Sequence, residues 1–214
     1  MASLHDLALF DLDGTLSDPL VGIARSINYA LAHFGYAEVE LSELSAHVGP
    51  PLDHAFRSLT GVESPAELAG LVAKYRERYG DVGYSENVLY PGIPEALEAL
   101  RLAGVSLAVC TSKRADFAER ILRMFGIRSY FRFVTGGEIG VHKWQQIEAL
   151  VKEGAVTPST VMVGDRSVDL LAAHRNGLHG AGVLWGHGSR AELENERPRY
   201  LLSSPEELQG LVGR

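Results

Sequence analysis

Asp11 and Asp13 stand two residues apart, directly after the short apolar run Leu7-Ala8-Leu9-Phe10. In extended geometry residues two apart face the same side, so the two carboxylates would share one space. Paired carboxylates repel and call for a cation or a proton between them. Gly14 permits a turn that brings backbone amides toward a ligand, and successive amides in such a turn bind anions. Asp and Gly are also ordinary turn residues, and a capped turn explains this group alone equally well. A second acidic group follows Val161-Met162-Val163-Gly164: Asp165, with Asp169 one helical turn on. Asp165 also suits the N-cap of the next helix, and Asp169 suits its first turn, where an acid complements the helix dipole. Taken together, four carboxylates from two strand ends make a hard, oxygen-rich site whose natural occupant is Mg²⁺. Thr111 and Ser112 follow a third apolar run, Val105 to Cys110, where hydroxyls and amides suit phosphoryl oxygens or an N-cap. Lys143 follows the glycine-rich stretch Gly136-Gly137-Glu138-Ile139-Gly140; a lysine is most often a solvated surface residue, so its claim rests on order and context.

The elements that must position these residues follow from periodicity. Leu7 to Phe10, Val105 to Cys110, Phe131 to Val134, Val161 to Val163, Gly182 to Leu184 and Tyr200 to Leu202 read as short strands. Between them lie helix patterns: Ile93, Ala96, Leu97 and Leu100 on one stripe, then Asp116 to Phe125, Lys143 to Lys152 and Val168 to Asn176. Gly104, Gly126 and Gly177 stand at their stops. Alternating strands and helices imply a doubly wound parallel sheet with helices on both faces. In such sheets ligands bind outside the carboxyl ends of the strands, which is where the candidate residues fall. Leu20 to Gly35, Leu52 to Thr60 and Ala66 to Tyr79 form a block without a good strand. The expected organisation is therefore an α/β core of residues 1–17 plus 85–214, interrupted by a helical insertion over 18–84.

These pieces, Asp11-Leu12-Asp13-Gly14-Thr15-Leu16, Thr111-Ser112-Lys113, Lys143 and Gly164-Asp165-x-x-x-Asp169, occur in the order found in the haloacid dehalogenase superfamily, and the chain resembles that family over essentially its whole length. The insertion stands where that family carries a helical C1-type cap. Val48-Gly49-Pro50-Pro51-Leu52, Tyr90-Pro91-Gly92-Ile93 and Gly182-Val183-Leu184-Trp185-Gly186 resemble the phosphoglycolate phosphatase-like subgroup. Two features depart from it: Arg114 stands where proline often follows Thr-Ser-Lys, and the segment from Gly136 to Lys143 is short, with His142 before the lysine.

The resemblance implies a fold of the Rossmann-like type and an Mg²⁺-dependent phosphomonoester hydrolase acting on a small phosphorylated metabolite. Asp11 would be the nucleophile and Asp13 the general acid and base. Gly14, Thr111, Ser112 and Lys143 would bind the phosphoryl group. Asp11, the Asp13 carbonyl, Asp165 and Asp169 would serve the metal. Asp13 favours oxygen-linked phosphoryl transfer, since a dehalogenase has no leaving oxygen to protonate. Phosphoglycolate or a 5′-nucleotide is the expected substrate; a β-phosphoglucomutase-like mutase is an alternative, and a receiver-type phosphorylation switch a distant one. Around the insertion, hinges are expected near Ser17 to Pro19 and Gly83 to Pro91, and substrate contacts from His47 to Asp53. His54, Arg57 and Lys74 suit a solvated helix face at least as well. His187, in Trp185-Gly186-His187-Gly188-Ser189-Arg190, is expected in a loop that approaches the site.

Composition limits the alternatives. Twenty basic and 27 acidic residues give a net charge of −7, with no basic tract, a poor match to nucleic acid or an anionic membrane. No run approaches the ~18 apolar residues of a spanning helix. The single cysteine, Cys110, excludes an intramolecular disulfide and is expected to pack within its strand. These features suit a cytoplasmic monomer or homodimer.

Overall fold

The computed structural model describes residues 4–49, 51–138 and 140–212. The chain divides into two compact units, Met1–Ser17 with Leu89–Arg214, and Asp18–Val88.

In the first unit β1 (Leu7–Phe10) is followed, beyond the insertion, by α5 (Ile93–Leu102), β4 (Ser106–Cys110), α6 (Ala115–Met124), β5 (Phe131–Thr135), α7 (Lys143–Lys152), β6 (Val161–Gly164), α8 (Ser167–Arg175), β7 (His179–Val183), α9 (Arg190–Asn195) and β8 (Tyr200–Leu202). The sheet order is β5-β4-β1-β6-β7-β8, with every pairing parallel. From β1 the chain builds outward to β4 and β5, then crosses to β6 and builds the other way. The crevice between β1 and β6 is the switch point, the place such a sheet offers a ligand. All four residues of β1 are buried, as a central strand covered on both faces requires. Leu7, Leu9, Ala108, Cys110 and Met162 form one layer with Ile147, Ala172 and Ala173 from α7 and α8.

In the later part of this unit the structure adds to the sequence pattern at β7, at α9 and after β8. β7 begins at His179, three residues before the expected Gly182, because His179, Gly180 and Gly182 lack strand periodicity and are held by their neighbours in the sheet. Six-residue α9 was not expected, although its start is written in Ser189-Arg190-Ala191-Glu192: the Ser189 hydroxyl accepts the Glu192 amide at 3.1 Å. A 3₁₀ turn also spans Pro205–Leu211.

The second unit contains α1 (Leu20–His33), α2 (Leu41–Leu44), α3 (Leu52–Thr60) and α4 (Pro65–Asp81). Ile23, Ala24, Ile27, Ala30 and Leu31 form the buried stripe of α1. The unit extends to Val88 rather than the expected 84, because the 3₁₀ turn Gly83–Glu86 is fastened to its helices. Glu86 binds Arg78 at 2.8 and 3.0 Å and Arg25 at 2.7 Å. A Cβ on Gly22 would lie 2.0 Å from the Gly83 carbonyl oxygen, so α1 meets this turn backbone to backbone. Two-residue strands β2 (Ser17–Asp18) and β3 (Val88–Leu89) pair where the chain leaves and re-enters the first unit. Among the described residues no helix is long and apolar enough to cross a membrane.

Candidate active site

The Asp11 amide donates to the Val163 carbonyl at 2.9 Å, continuing the β1–β6 ladder one residue past β1. The chain then turns sharply: the Leu16 and Ser17 amides both donate to the Leu12 carbonyl, and the Gly14 amide to that of Ser17. Gly14 sits at φ +80°, and a Cβ there would lie 2.1 Å from Asp165 Oδ2. Only glycine permits both the left-handed backbone and the approach of this turn to Asp165.

Asp11, Asp165 and Asp169 are buried and each offers a carboxylate oxygen within 4.8 Å of the others. Lys143, at the start of α7, reaches the same place: its ammonium pairs with Asp11 Oδ1 at 3.0 Å and with Asp169 Oδ1. Asp169 Oδ2 accepts the Arg166 amide at 3.0 Å. Gly164 makes room for this, since a Cβ there would stand 2.2 Å from Asp169 Cγ. Asp165 Oδ2 accepts the His187 amide at 2.9 Å and Oδ1 the Thr15 hydroxyl at 3.4 Å.

Burial raises the Asp165 carboxyl to about 8, with the Asp169 and Asp11 charges adding to it. Burial also raises Asp169, and Asp11 adds, against the opposing pull of Lys143. Burial works against the charge on Lys143, but Asp11 and Asp169 outweigh it and hold the ammonium protonated. One lysine therefore leaves the three carboxylates undercompensated. Their all-oxygen donor set and close spacing fit a hard divalent cation such as Mg²⁺.

Asp13 lies beside this cluster with a side chain 14% exposed. Its Oδ2 pairs with the Lys113 ammonium at 2.7 Å, while Oδ1 is buried with no hydrogen-bond partner among the described residues. Burial raises the Asp13 carboxyl, and Lys113 opposes that rise. Lys113, the third residue of Thr111-Ser112-Lys113, thus joins the site beside Thr111 and Ser112, the two that the sequence pattern assigned. It reaches Asp13 because the loop after β4 folds on itself: the Thr111 hydroxyl accepts the Lys113 amide at 3.2 Å. Thr111 is buried and Ser112 exposed. The expected glycine-rich loop after β5 packs against this turn. The Gly137 amide donates to the Lys113 carbonyl at 2.8 Å, and a Cβ on Gly136 or Gly137 would meet backbone at 2.2 Å. Ile139 of that loop and Pro50 of the Val48 to Leu52 motif lie outside the described residues.

Cys110 is buried at the end of β4, its thiol donating to Gln146 Oε1 at 3.4 Å. Burial pushes that thiol up to about 12. Of the cationic candidates in the helical unit, Arg57 pairs with Glu63 at 3.0 Å and Lys74 with Glu77 at 2.8 Å, while the His54 side chain is 66% exposed. A separate cleft of about 400 Å³, lined by Arg101, Ser106 and Arg132 among others, lies at the amino ends of β4 and β5 and holds none of the site residues.

The site thus joins residues from the ends of β1, β4 and β6 and the start of α7 at the switch point of the sheet. A family model described as haloacid dehalogenase-like hydrolase matches residues 8–183. The chain is 42% identical over 196 residues to a 5′-nucleotidase of Pseudomonas aeruginosa, covering 90% of this chain and 88% of that one. It is 34% identical over 202 residues to a phosphoglycolate phosphatase of Agrobacterium fabrum, covering 90% and 86%. The solved structure of Mycobacterium tuberculosis protein tyrosine kinase A (PtkA) superimposes with a TM-score of 0.83 at 33% identity, over 100% of both chains. With most of its length matched by the family model and its acidic residues gathered at the strand ends, the chain belongs to the haloacid dehalogenase-like hydrolase family.

Proposed function

We propose that this protein is an Mg²⁺-dependent phosphomonoester hydrolase that acts on a small phosphorylated metabolite through an aspartyl-phosphate on Asp11. The observation that carries the reading is the gathering of two differently placed acids at one strand end. Asp11 shares the Lys143 ammonium with Asp169 and offers an oxygen to the three-carboxylate cluster, while Asp13 stands outside that cluster, paired with Lys113 and with its carboxyl raised by burial. A carboxylate within the cation site suits the nucleophile, and a buried carboxyl pushed toward its protonated form suits the general acid.

In this mechanism the Asp11 carboxylate attacks phosphorus, and the bond from phosphorus to the ester oxygen breaks. Asp13 delivers its proton to that oxygen, and the alcohol leaves. Asp13, now a carboxylate, takes a proton from water as the water attacks the acyl phosphate, which frees inorganic phosphate and restores Asp11. The turn at Gly14, the Ser112 amide, the Thr111 hydroxyl and Lys143 bind phosphoryl oxygens, and positioning of this kind supplies most of the catalysis. Asp11, the Asp13 carbonyl, Asp165 and Asp169 hold the Mg²⁺, which offsets the negative charge of nucleophile and substrate. The helical unit serves as the cap that selects the leaving group.

The 5′-nucleotidase and phosphoglycolate phosphatase names of the relatives favour a nucleoside monophosphate or a small phosphorylated acid as substrate. The kinase name of the mycobacterial relative favours a second reading, transfer from Asp11 to an acceptor other than water, and a mutase falls within it. The test is phosphate release from phosphoglycolate, 5′-nucleotides and hexose phosphates, in Mg²⁺ or in EDTA, beside Asp11→Asn. Release that needs Mg²⁺ and vanishes in the variant is expected. Labelled phosphoenzyme without release would favour the second reading, and turnover surviving Asp11→Asn would remove Asp11 as nucleophile.

A further inference from the structure

The loop after β7, Leu184 to Ser189, holds none of the residues given a role above, yet it closes around Asp165. The Trp185 indole N–H donates to the Thr15 carbonyl at 2.9 Å. The Thr15 hydroxyl donates to Asp165 Oδ1, and Asp165 Oδ2 accepts the amide of His187, two residues on from Trp185. The contacts form a ring that begins and ends on this one loop.

The glycines of Trp185-Gly186-His187-Gly188 complete the enclosure. A Cβ on Gly186 would lie 2.3 Å from the Gly14 carbonyl oxygen and 2.4 Å from Asp165 Cβ; one on Gly188 would lie 1.9 Å from the Asp165 carbonyl oxygen. Neither residue has the left-handed backbone that Gly14 has, so glycine at 186 and 188 answers to space rather than to conformation. The loop therefore packs its backbone directly on Asp165 and the turn after β1.

We propose that the 184–189 loop, anchored by Trp185, is a positioning device that fixes the Asp165 carboxylate for its cation and so sets the affinity for Mg²⁺. The inference rests on the metal reading given under the proposed function. Each Asp165 oxygen has two lone pairs and spends one on the loop or on Thr15, which leaves one per oxygen for a cation. A carboxylate already held in its plane loses little freedom when the ion arrives. Partners that orient a metal ligand typically contribute about 10- to 100-fold to metal affinity. Trp185 acts through Thr15 and touches no reacting atom.

The experiment is calorimetric titration of Mg²⁺ into the EDTA-stripped, dialysed full chain, with thermal melting in EDTA alongside. Trp185→Phe keeps an aromatic ring and removes the N–H; Thr15→Val keeps the shape and removes the hydroxyl that meets Asp165. Each is expected to bind Mg²⁺ about 10-fold more weakly. A role confined to fold stability would lower the melting temperature in EDTA and leave the Mg²⁺ affinity unchanged, and that result in either folded variant overturns the proposal. If wild type binds no Mg²⁺ at millimolar concentration, the metal reading fails and the loop's task fails with it. If wild type binds and both variants bind equally well, only the loop proposal fails.

Discussion

Asp165→Asn should stabilise the metal-free protein, the reverse of what loss of a buried, hydrogen-bonded carboxylate usually does. The Asp165 side chain is buried, and its carboxyl stands at about 8 against an ordinary 3.8, through burial first and the Asp169 and Asp11 charges next. A carboxyl raised on folding supports stability fully below about pH 4, where both states hold the proton, and loses that support as pH rises toward 8. Each pKa unit is worth about 1.4 kcal/mol, so at pH 7 the penalty in the wild type is about 4 kcal/mol. Asparagine carries no charge and keeps the shape: its amide oxygen can accept the His187 amide and its nitrogen can face the Thr15 hydroxyl. Water entry and movement of Lys143 relax part of the repulsion, which sets the expected gain at about 1 to 4 kcal/mol, or about 3 to 12 °C in a domain of this size. The assay is thermal melting of both proteins in EDTA from pH 5 to 8.5, repeated in Mg²⁺. The advantage of the variant should grow with pH in EDTA. In Mg²⁺ the wild type should gain about 2.7 kcal/mol at 100 times its dissociation constant and the variant almost none. A variant less stable than wild type in EDTA at pH 8, or one stabilised equally by Mg²⁺, would refute this account of the pocket's electrostatics.

Lys143→Met removes the cation that Asp11 and Asp169 share, and it should abolish turnover and destabilise the metal-free fold by about 3 to 5 kcal/mol in a urea titration; a change below about 1 kcal/mol would show that the carboxylates do not need it. Gly14→Ala forces a β-carbon toward Asp165 Oδ2 on a left-handed backbone, so Mg²⁺-dependent activity should fall at least about 100-fold while the secondary structure seen by circular dichroism is retained. Cys110, buried with its thiol at about 12, should resist a thiol reagent at pH 8 until the protein is unfolded in urea, and rapid labelling of the native protein would contradict its packing in β4.

How much of this site the sequence disclosed depends on whether a contact is local. Asp11 and Asp165 were legible because each follows a fully apolar strand, and a strand end in a parallel sheet is a defined place. Lys143 was legible from its order in the chain, and α7 begins at that residue. The pairing of Lys113 with Asp13 was not legible, because it depends on how the loop after β4 folds back through the Thr111 hydroxyl, and the same residues are compatible with a simple N-cap. The approach of the His187 loop to the site was legible, but not the close packing of Gly186 and Gly188 on Asp165, since it spans more than 20 residues and is stated in interatomic space alone. The start of β7 escaped for the opposite reason: His179 and Gly180 have little strand character of their own, and their neighbours in the sheet impose the conformation.

The two lysines give the acidic pocket a charge logic that neither motif shows alone. Four carboxylates, Asp11, Asp13, Asp165 and Asp169, face two ammonium groups, Lys113 and Lys143, which leaves the fully ionised pocket with two uncompensated negative charges. In the proposed reading one divalent cation balances these, and a proton on Asp13 then turns the pocket positive by one. A phosphate dianion would thus meet a pocket that attracts it only when the cation is bound and the general acid is loaded, the state in which Asp13 has a proton to give. Lys113 keeps that loading conditional. Burial raises the Asp13 carboxyl while the neighbouring ammonium draws it down, so the same acid can hold a proton for the leaving group and release it before water attacks. On this argument Lys113→Met raises the Asp13 carboxyl further and slows breakdown of the phosphoenzyme more than its formation. Rapid-quench measurement of the two steps on labelled substrate separates them, and an equal loss in both would mean that Lys113 only binds.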